Sequence, residues 1–326
     1  ASGLGTSGAL HPGILEPLEL KEIRLFLQRI AAAFLLLILA CAVPVHAADY
    51  RRIVVIADTH VSGEHLERQE EAIRQINAWD DVDFVTALGD LCFDMGTDGE
   101  YAQAKALLSK LTKPLYPVVG NHDYIYDGYG LAGVRKKGTS NVRREKQKKF
   151  REVFGLENSY YKMELGPYLL IFLSADHPTS RYLTEISDEQ LSWFEGALKE
   201  NPGRPTVVFF HGPLKGTILE EEPRWGDPAF FAQPQERIRP LLANHPQVVL
   251  WVAGHLHLSP ARSSFCNDVN FYEGRLLNVH TPNMNRQTIW TNSLYLYPDS
   301  IVVRTFDHRG KSWLRALDRR IPLTSR

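Results

Sequence analysis

Cysteine is scarce: the chain of 326 residues holds three, too few to staple a fold together. Charge of one sign is missing as well, since 37 lysines and arginines face 38 acids for a formal net charge of −1. This balance excludes a global basic field for nucleic acid and an acidic composition that resists folding. The apolar run from Ile30 to Val43 covers fourteen residues, short of the about 20 that a membrane span needs. After residue 47 there is no internal repeat, low-complexity segment or interdomain linker. The composition, 44% hydrophobic and 23% charged, is that of an ordinary folded domain.

What is present begins with a leader. Lys21, Arg24 and Arg29 precede the apolar run, and Pro44-Val45-His46-Ala47 follows it, with small residues at the −3 and −1 positions. This is the pattern of a secretory signal peptide cut after Ala47, so residues 1–47 are set apart from a domain over 48–326. The expected location is the periplasm or the medium. Ile38-Leu39-Ala40-Cys41 resembles a lipobox, so a lipid anchor at Cys41 is the alternative, and the only expected membrane association. Export implies an oxidising compartment, where Cys92 and Cys266 are able to form one disulfide. Cys92 lies two residues past Asp90 and is expected to pack beneath the site instead.

From Arg52 onward, strand and helix patterns alternate. Ile53–Ala57, Phe84–Leu88 and Leu115–Val119 read as strands, with helices over His65–Trp79 and Tyr101–Leu111 between them. The spacing argues for parallel βαβ units. Residues 124–138 read as a loop rich in glycine and tyrosine, and a basic segment follows through Arg151. Tyr160–Glu164 and Leu169–Leu173 read as a hairpin turned at Gly166-Pro167. Ser187 and Gln190 read as a capping box that opens a helix. Thr206–Phe210 and Val248–Ala253 are two further strands. Between them lie an irregular loop over 212–233 and a short helix over Ile238–Ala243. Val269–Tyr272, Arg275–Val279, Ile289–Tyr297 and Ile301–Phe306 read as antiparallel strands.

Five polar clusters follow these strands directly: Asp58-Thr59-His60, Gly89-Asp90, Gly120-Asn121-His122-Asp123, His211-Gly212 and Gly254-His255-Leu256-His257. A sheet brings such strand ends to one rim, where ligands of open α/β sheets bind. Carboxylate, imidazole and amide oxygen together suit divalent first-row metals. Two such ions about 4 Å apart are able to clamp a phosphate and hold a hydroxide between them.

This ordered set of motifs resembles that of the calcineurin-like metallophosphoesterases, over roughly Ile53–Phe306. In style it is most similar to the class III cyclic-nucleotide phosphodiesterases. The resemblance implies an α/β fold, a four-layer α/β/β/α sandwich. It implies two divalent ions (Mn, Fe, Zn or Co), one held by Asp58, His60 and His257 and the other by Asn121, His211 and His255, with Asp90 bridging. It also implies that His122 faces the scissile phosphate, as charge stabiliser or general acid, while a metal-bridging hydroxide attacks in line. The substrate is expected to be a small phosphoester, with a diester preferred and a phosphomonoester or nucleotide as the alternative. A nuclease would need a positive groove, which only residues 135–151 offer. A non-catalytic scaffold would lack ligands that are all present here. Oligomeric state is not readable.

Many relatives place an aspartate three residues after the bridging one. Here that position is Phe93 and Asp94 comes next, so Asp94 is a candidate to orient His122. Arg135 is a candidate attractor for an anionic substrate, or part of a solvated face. Asp123 is expected to buttress its turn. Tyr124 and Tyr126 are candidates to stack on a base or aryl group, or else to pack on their own loop. His280, in His280-Thr281-Pro282-Asn283, is a candidate substrate-facing or ligand-supporting residue. His177 is expected to be an ordinary loop histidine.

Overall fold

The first strand, Arg-Arg-Ile-Val-Val-Ile, divides its side chains between two cores. Side chains alternate across a strand. Ile53 and Val55 therefore join one apolar cluster, with Leu170, Phe172, Val207, Phe209, Leu250, Val252, Leu294 and Val303. Val54 and Ile56 join another, with Ala72, Ile73, Ala104, Leu107, Phe194, Leu198 and Leu242. The first cluster is drawn from strands and the residues directly past their ends, and fills the space between two sheets. The second binds helices to the outer sheet faces. The result is a four-layer α/β/β/α sandwich.

The computed structural model describes residues 50–323. The leader read over 1–47, with Cys41, lies outside the described residues. The chain runs β1 (Arg51–Ile56), α1 (Leu66–Asn77), β2 (Phe84–Ala87), α2 (Asp98–Leu108), β3 (Leu115–Pro117), α3 (Asn121–Tyr124), β4 (Tyr126–Tyr129), β5 (Arg135–Lys137), α4 (Ser140–Phe154), β6 (Tyr161–Leu165) and β7 (Tyr168–Phe172). It continues through α5 (Asp188–Lys199), β8 (Thr206–Phe209), α6 (Gln235–Asn244), β9 (Val248–Ala253), β10 (Phe271–Tyr272), β11 (Leu276–His280), β12 (Trp290–Leu296), β13 (Ser300–Asp307), β14 (Ser312–Trp313) and β15 (Arg319–Pro322). No described helix is long and apolar enough to cross a membrane.

One sheet has the order β14-β13-β12-β1-β2-β3, with β15 also on β13. The other has the order β10-β11-β9-β8-β7-β6. β1, β2 and β3 are parallel, as are β7, β8, β9 and β11. The parallel pairing of β11 with β9 corrects the antiparallel expectation for that segment. The chain between them, 254–275, is long enough for a crossover, which the antiparallel reading overlooks. The single rim expected from strand spacing is in fact the joint rim of two sheets, one bearing Asp58 to Asn121 and the other His211 to His257.

Three local expectations also change. Residues 124–138 contain a two-stranded ribbon, β4 with β5. α2 starts at Asp98 because Thr97 and Glu100 form a capping box, worth about 1 kcal/mol. Ser187 caps α5, accepting from the Gln190 amide, but the Gln190 side chain turns to both backbone groups of Ser174. Ser187 N donates to Asp176 Oδ1 instead. Cys92 is buried, as expected, and neither it nor Cys266 forms a disulfide.

Candidate metal centre

The strand ends meet because glycines let them. A Cβ on Gly120 would stand 2.2 Å from Asp90 N, and one on Gly89 would stand 2.5 Å from Gly120 N. Gly89 also has φ +81°, open to glycine and strained for other residues. The loops after β1 and β2 stay zipped together, with Asp58 N donating to Gly89 O at 3.1 Å and His60 N to Asp90 O at 3.0 Å.

Five of the expected ligands sit in the left-handed backbone region: Asp58 (φ 49°), His60 (42°), Asp90 (52°), His255 (65°) and His257 (55°). Aspartate and histidine tolerate this region better than most residues, yet each pays strain energy there. The turn conformation aims consecutive side chains at one point.

Two sets of ligand atoms converge. Asp58, His60, Asp90 and His257 form one, Asp90, His211 and His255 the other, with the atoms of each set within 4.8 Å of one another. Asp90 belongs to both. Asn121 joins the second set, its Oδ1 3.1 Å from His211 Nε2.

The donor chemistry fits cations. His211 Nδ1 lies 2.6 Å from Leu88 O and His60 Nδ1 lies 3.0 Å from Phe93 O. A carbonyl only accepts, so both Nδ1 atoms donate, and in the neutral rings both Nε2 atoms present lone pairs. His211 Nε2 then faces Asp90 Oδ2 at 3.2 Å and His255 Nδ1 at 3.0 Å, besides Asn121 Oδ1. His60 Nε2 faces His257 Nε2 at 3.3 Å. Lone pairs at that spacing repel unless a proton or cation lies between them. His255 Nε2 is buried with no hydrogen-bond partner. Backbone carbonyls that fix imidazoles in this way are the usual support of metal-ligating histidine.

Electrostatics agree. Burial pushes the Asp58 and Asp90 carboxyls up, but His257 beside the first and His211 beside the second hold both below the usual range. Burial pushes the His211 imidazole down, yet Asp90 and Asp58 carry it up to about 9. Burial, reinforced by His211, drives His255 well below its ordinary value. Without an ion, His211 therefore holds a proton against Asp90, in the place a cation would take, while His255 keeps a bare nitrogen.

His122 N donates to Asp90 Oδ1 at 2.8 Å, and its ring lies 4.9 Å from that of His60. Its Nδ1 is 2.9 Å from the carbonyl oxygen of Asp94 but 3.9 Å from the carboxylate. The Asp94 carboxylate binds the Tyr129 hydroxyl and the Arg135 guanidinium. Arg135 is thus brought beside the centre, through Asp94. Asp123 buttresses its turn: Oδ1 accepts from Leu91 N and Cys92 N, both at 2.9 Å, and Oδ2 from Gly120 N at 2.8 Å. Burial and the Asp90 charge raise its carboxyl to about 7.

Two open readings take their bland form. Tyr124 is fully buried and packs in the core, because α3 turns it inward, whereas the Tyr126 ring lies 5.1 Å from that of His122. His280 is also buried, its Nε2 3.0 Å from Thr217 O, so it faces the sheet interior and not a substrate. The residue of that motif that reaches the centre is Asn283, whose Nδ2 lies 3.4 Å from His257 Nδ1. Its position shortly after a strand end was the available signal. Arg224 and Arg286, which bond to carbonyls of the His255–His257 turn, carry no motif by which sequence reading finds them.

Residues 51–259 match the family model described as calcineurin-like phosphoesterase. The chain belongs to that family and is a metal-dependent phosphoric ester hydrolase. It is 24% identical over 217 residues to a "Probable glycerophosphodiester phosphodiesterase GpdQ" of Arcobacter nitrofigilis, covering 63% of this chain and 71% of that protein. It is 24% identical over 221 residues to the 3',5'-cyclic adenosine monophosphate phosphodiesterase CpdA of Escherichia coli K12, covering 63% of this chain and 69% of that one. A dimetal phosphatase structure from Danio rerio shares the fold, with a TM-score of 0.58 at 15% identity over 83% of this chain and 98% of that one.

Proposed function

We propose that the protein is an exported phosphodiesterase with two divalent ions. One is held by Asp58, His60, Asp90 and His257, the other by Asp90, Asn121, His211 and His255. The observation that carries this reading is that Asp90 belongs to both convergent sets. When bound, the ion pair supplies Lewis-acid charge at the phosphoryl oxygens and lowers the pKa of the water that attacks phosphorus. The nitrogen and oxygen donors accept Mn, Fe, Zn or Co.

The chain's own groups do the rest. The Asp94 carbonyl accepts a hydrogen bond from the Nδ1–H of His122 and fixes the ring. Nε2 is then the atom that exchanges a proton with the leaving alcohol. Asp123 ties the Asp90 and Asn121 turns together, so that bridging carboxylate and amide keep their spacing. A diester is favoured because Arg135 is committed to Asp94. It does not serve as a clamp for the second negative charge that a monoester brings. The phosphodiesterase activities for which the two relatives are named support the same choice.

Export rests on the leader pattern ending at Ala47. Cell fractionation with N-terminal sequencing tests it: a start at Ala48 in the envelope or medium supports cleavage, a start at Cys41 supports the lipid-anchored form, and recovery from the cytoplasm alone overturns export.

The activity test loads residues 48–326 with Mn²⁺ and compares an aryl phosphodiester with the matching aryl phosphomonoester, using Asp90→Ala as blank. Faster diester turnover is expected. Faster monoester turnover would make the protein a phosphatase or nucleotidase on the same centre.

A further inference from the structure

A cavity of about 340 Å³ opens beside His257. Its wall carries three arginines, Arg224, Arg262 and Arg286, and one acid, Glu222. Arg262 is neutralised by Glu222, with Nη2 to Oε2 at 2.6 Å and Nε to Oε1 at 3.2 Å. The other two pair with no carboxylate among the described residues. Arg286 Nη2 donates to His257 O at 2.6 Å. Arg224 Nη1 donates to Leu256 O at 3.3 Å and His255 O at 3.5 Å, and its guanidinium lies 4.8 Å over the Phe230 ring.

These contacts do two things. They lock both cations to the turn that presents His255 and His257, so their distance from the centre is set by the backbone. They also use only part of each guanidinium, which has five N–H donors. With the ions bound, two guanidiniums that lack a salt-bridged carboxylate, Arg286 feeling only the more distant charge of Asp58, add to the positive field of the centre. A ligand with negative charge at both ends offsets that field, and guanidinium forks match phosphate and carboxylate oxygens.

We infer that this cavity receives a second anionic group of the substrate. The group is a phosphate or carboxylate on the alcohol arm of the diester, held by Arg224 and Arg286. The inference rests on the phosphodiester reading above and names its substrate class: diesters that carry an additional anion on one arm.

The test compares p-nitrophenyl methyl phosphate with p-nitrophenyl diesters whose second arm ends in a carboxylate one to three carbons away. The expected result is a kcat/KM at least about 10-fold higher for one anionic arm, as charge-assisted hydrogen bonds give. Arg224→Gln should remove that preference, and Arg286→Lys, which keeps the charge, should retain part of it. No preference in the wild type, or an equal fall on both kinds of substrate, overturns the inference.

A second measurement needs no turnover. Calorimetry of the Mn²⁺-loaded protein compares methylphosphonate with phosphonoacetate and its longer homologues. Tighter binding of a phosphonocarboxylate, lost in Arg224→Gln, supports the subsite. Equal affinities sink it. Hydrolysis of monoesters alone, with the binding preference intact, overturns the diesterase reading and leaves the anion subsite standing.

Discussion

His122 is held by the backbone of Asp94 and not by its carboxylate, with Nδ1 2.9 Å from the carbonyl oxygen and 3.9 Å from Oδ1. The carbonyl survives any side-chain substitution. Asp94→Asn should therefore lower kcat by less than about 10-fold, whereas His122→Ala should lower it by roughly 10²–10⁴-fold while both metals stay bound. Steady-state kinetics with elemental analysis of the same samples checks this. A collapse of Asp94→Asn to the level of His122→Ala would show that the carboxylate orients the ring.

Asp90 is common to both ligand sets. Asp90→Ala should cost metal in both and abolish hydrolysis. Metal content by mass spectrometry should fall from two ions per chain to fewer than one. Two retained ions would remove Asp90 from its bridging role.

The side-chain amide of Asn283 meets His257 at Nδ1, on the side away from Asp58; turned so that its otherwise unpartnered oxygen lies there, it accepts the Nδ1 proton and leaves Nε2 bare for an ion. Such supporting contacts orient a ligating imidazole, and losing one typically weakens metal affinity by about 10–100-fold. Asn283→Leu should show that loss in a competition titration against a metal-binding dye, with little change in the metal-free far-UV spectrum. Unchanged affinity would make the contact incidental.

His308 gives the fold a pH response remote from the centre. Burial pushes its imidazole down to about 4, while Thr291 Oγ1 and Gln75 Oε1 lie 2.9 and 3.0 Å from its two nitrogens. The folded pKa is lower than the unfolded value of about 6.5. The unfolded chain therefore takes up the proton first, and this contribution to stability, full above pH 6.5, is lost as pH falls toward 4. The melting temperature of His308→Gln should fall less between pH 7 and pH 5 than that of the wild type. Parallel curves would refute the linkage.

The centre was readable because its ligands stand immediately past buried strands, so local pattern and chemistry coincide at Asp58, Asp90, Asn121, His211 and His255. β9, Val248–Ala253, matches its expected bounds for the same reason: an unbroken apolar run ended by glycine. What escaped depends on tertiary placement. The direction of β11 is set by a crossover, and hydrophobic alternation carries no sign of strand direction. Asn283, Arg224 and Arg286 reach the centre from loops, where no period links them to it. Tyr124 and His280 stayed open because adjacency in sequence does not say which way a turn sends a side chain.

The left-handed backbone at Asp58, His60, Asp90, His255 and His257 places the centre at odds with heat resistance. Glycine relaxes at such positions where aspartate and histidine do not. A library of this protein sorted for thermal endurance in chelator will enrich chains whose turns are easier and whose chemistry is gone. Sorted in the presence of the ions, the same library will keep the ligands, because binding then contributes to the folded state. Directed evolution of this scaffold is therefore steered by whether the ions are present when survivors are counted.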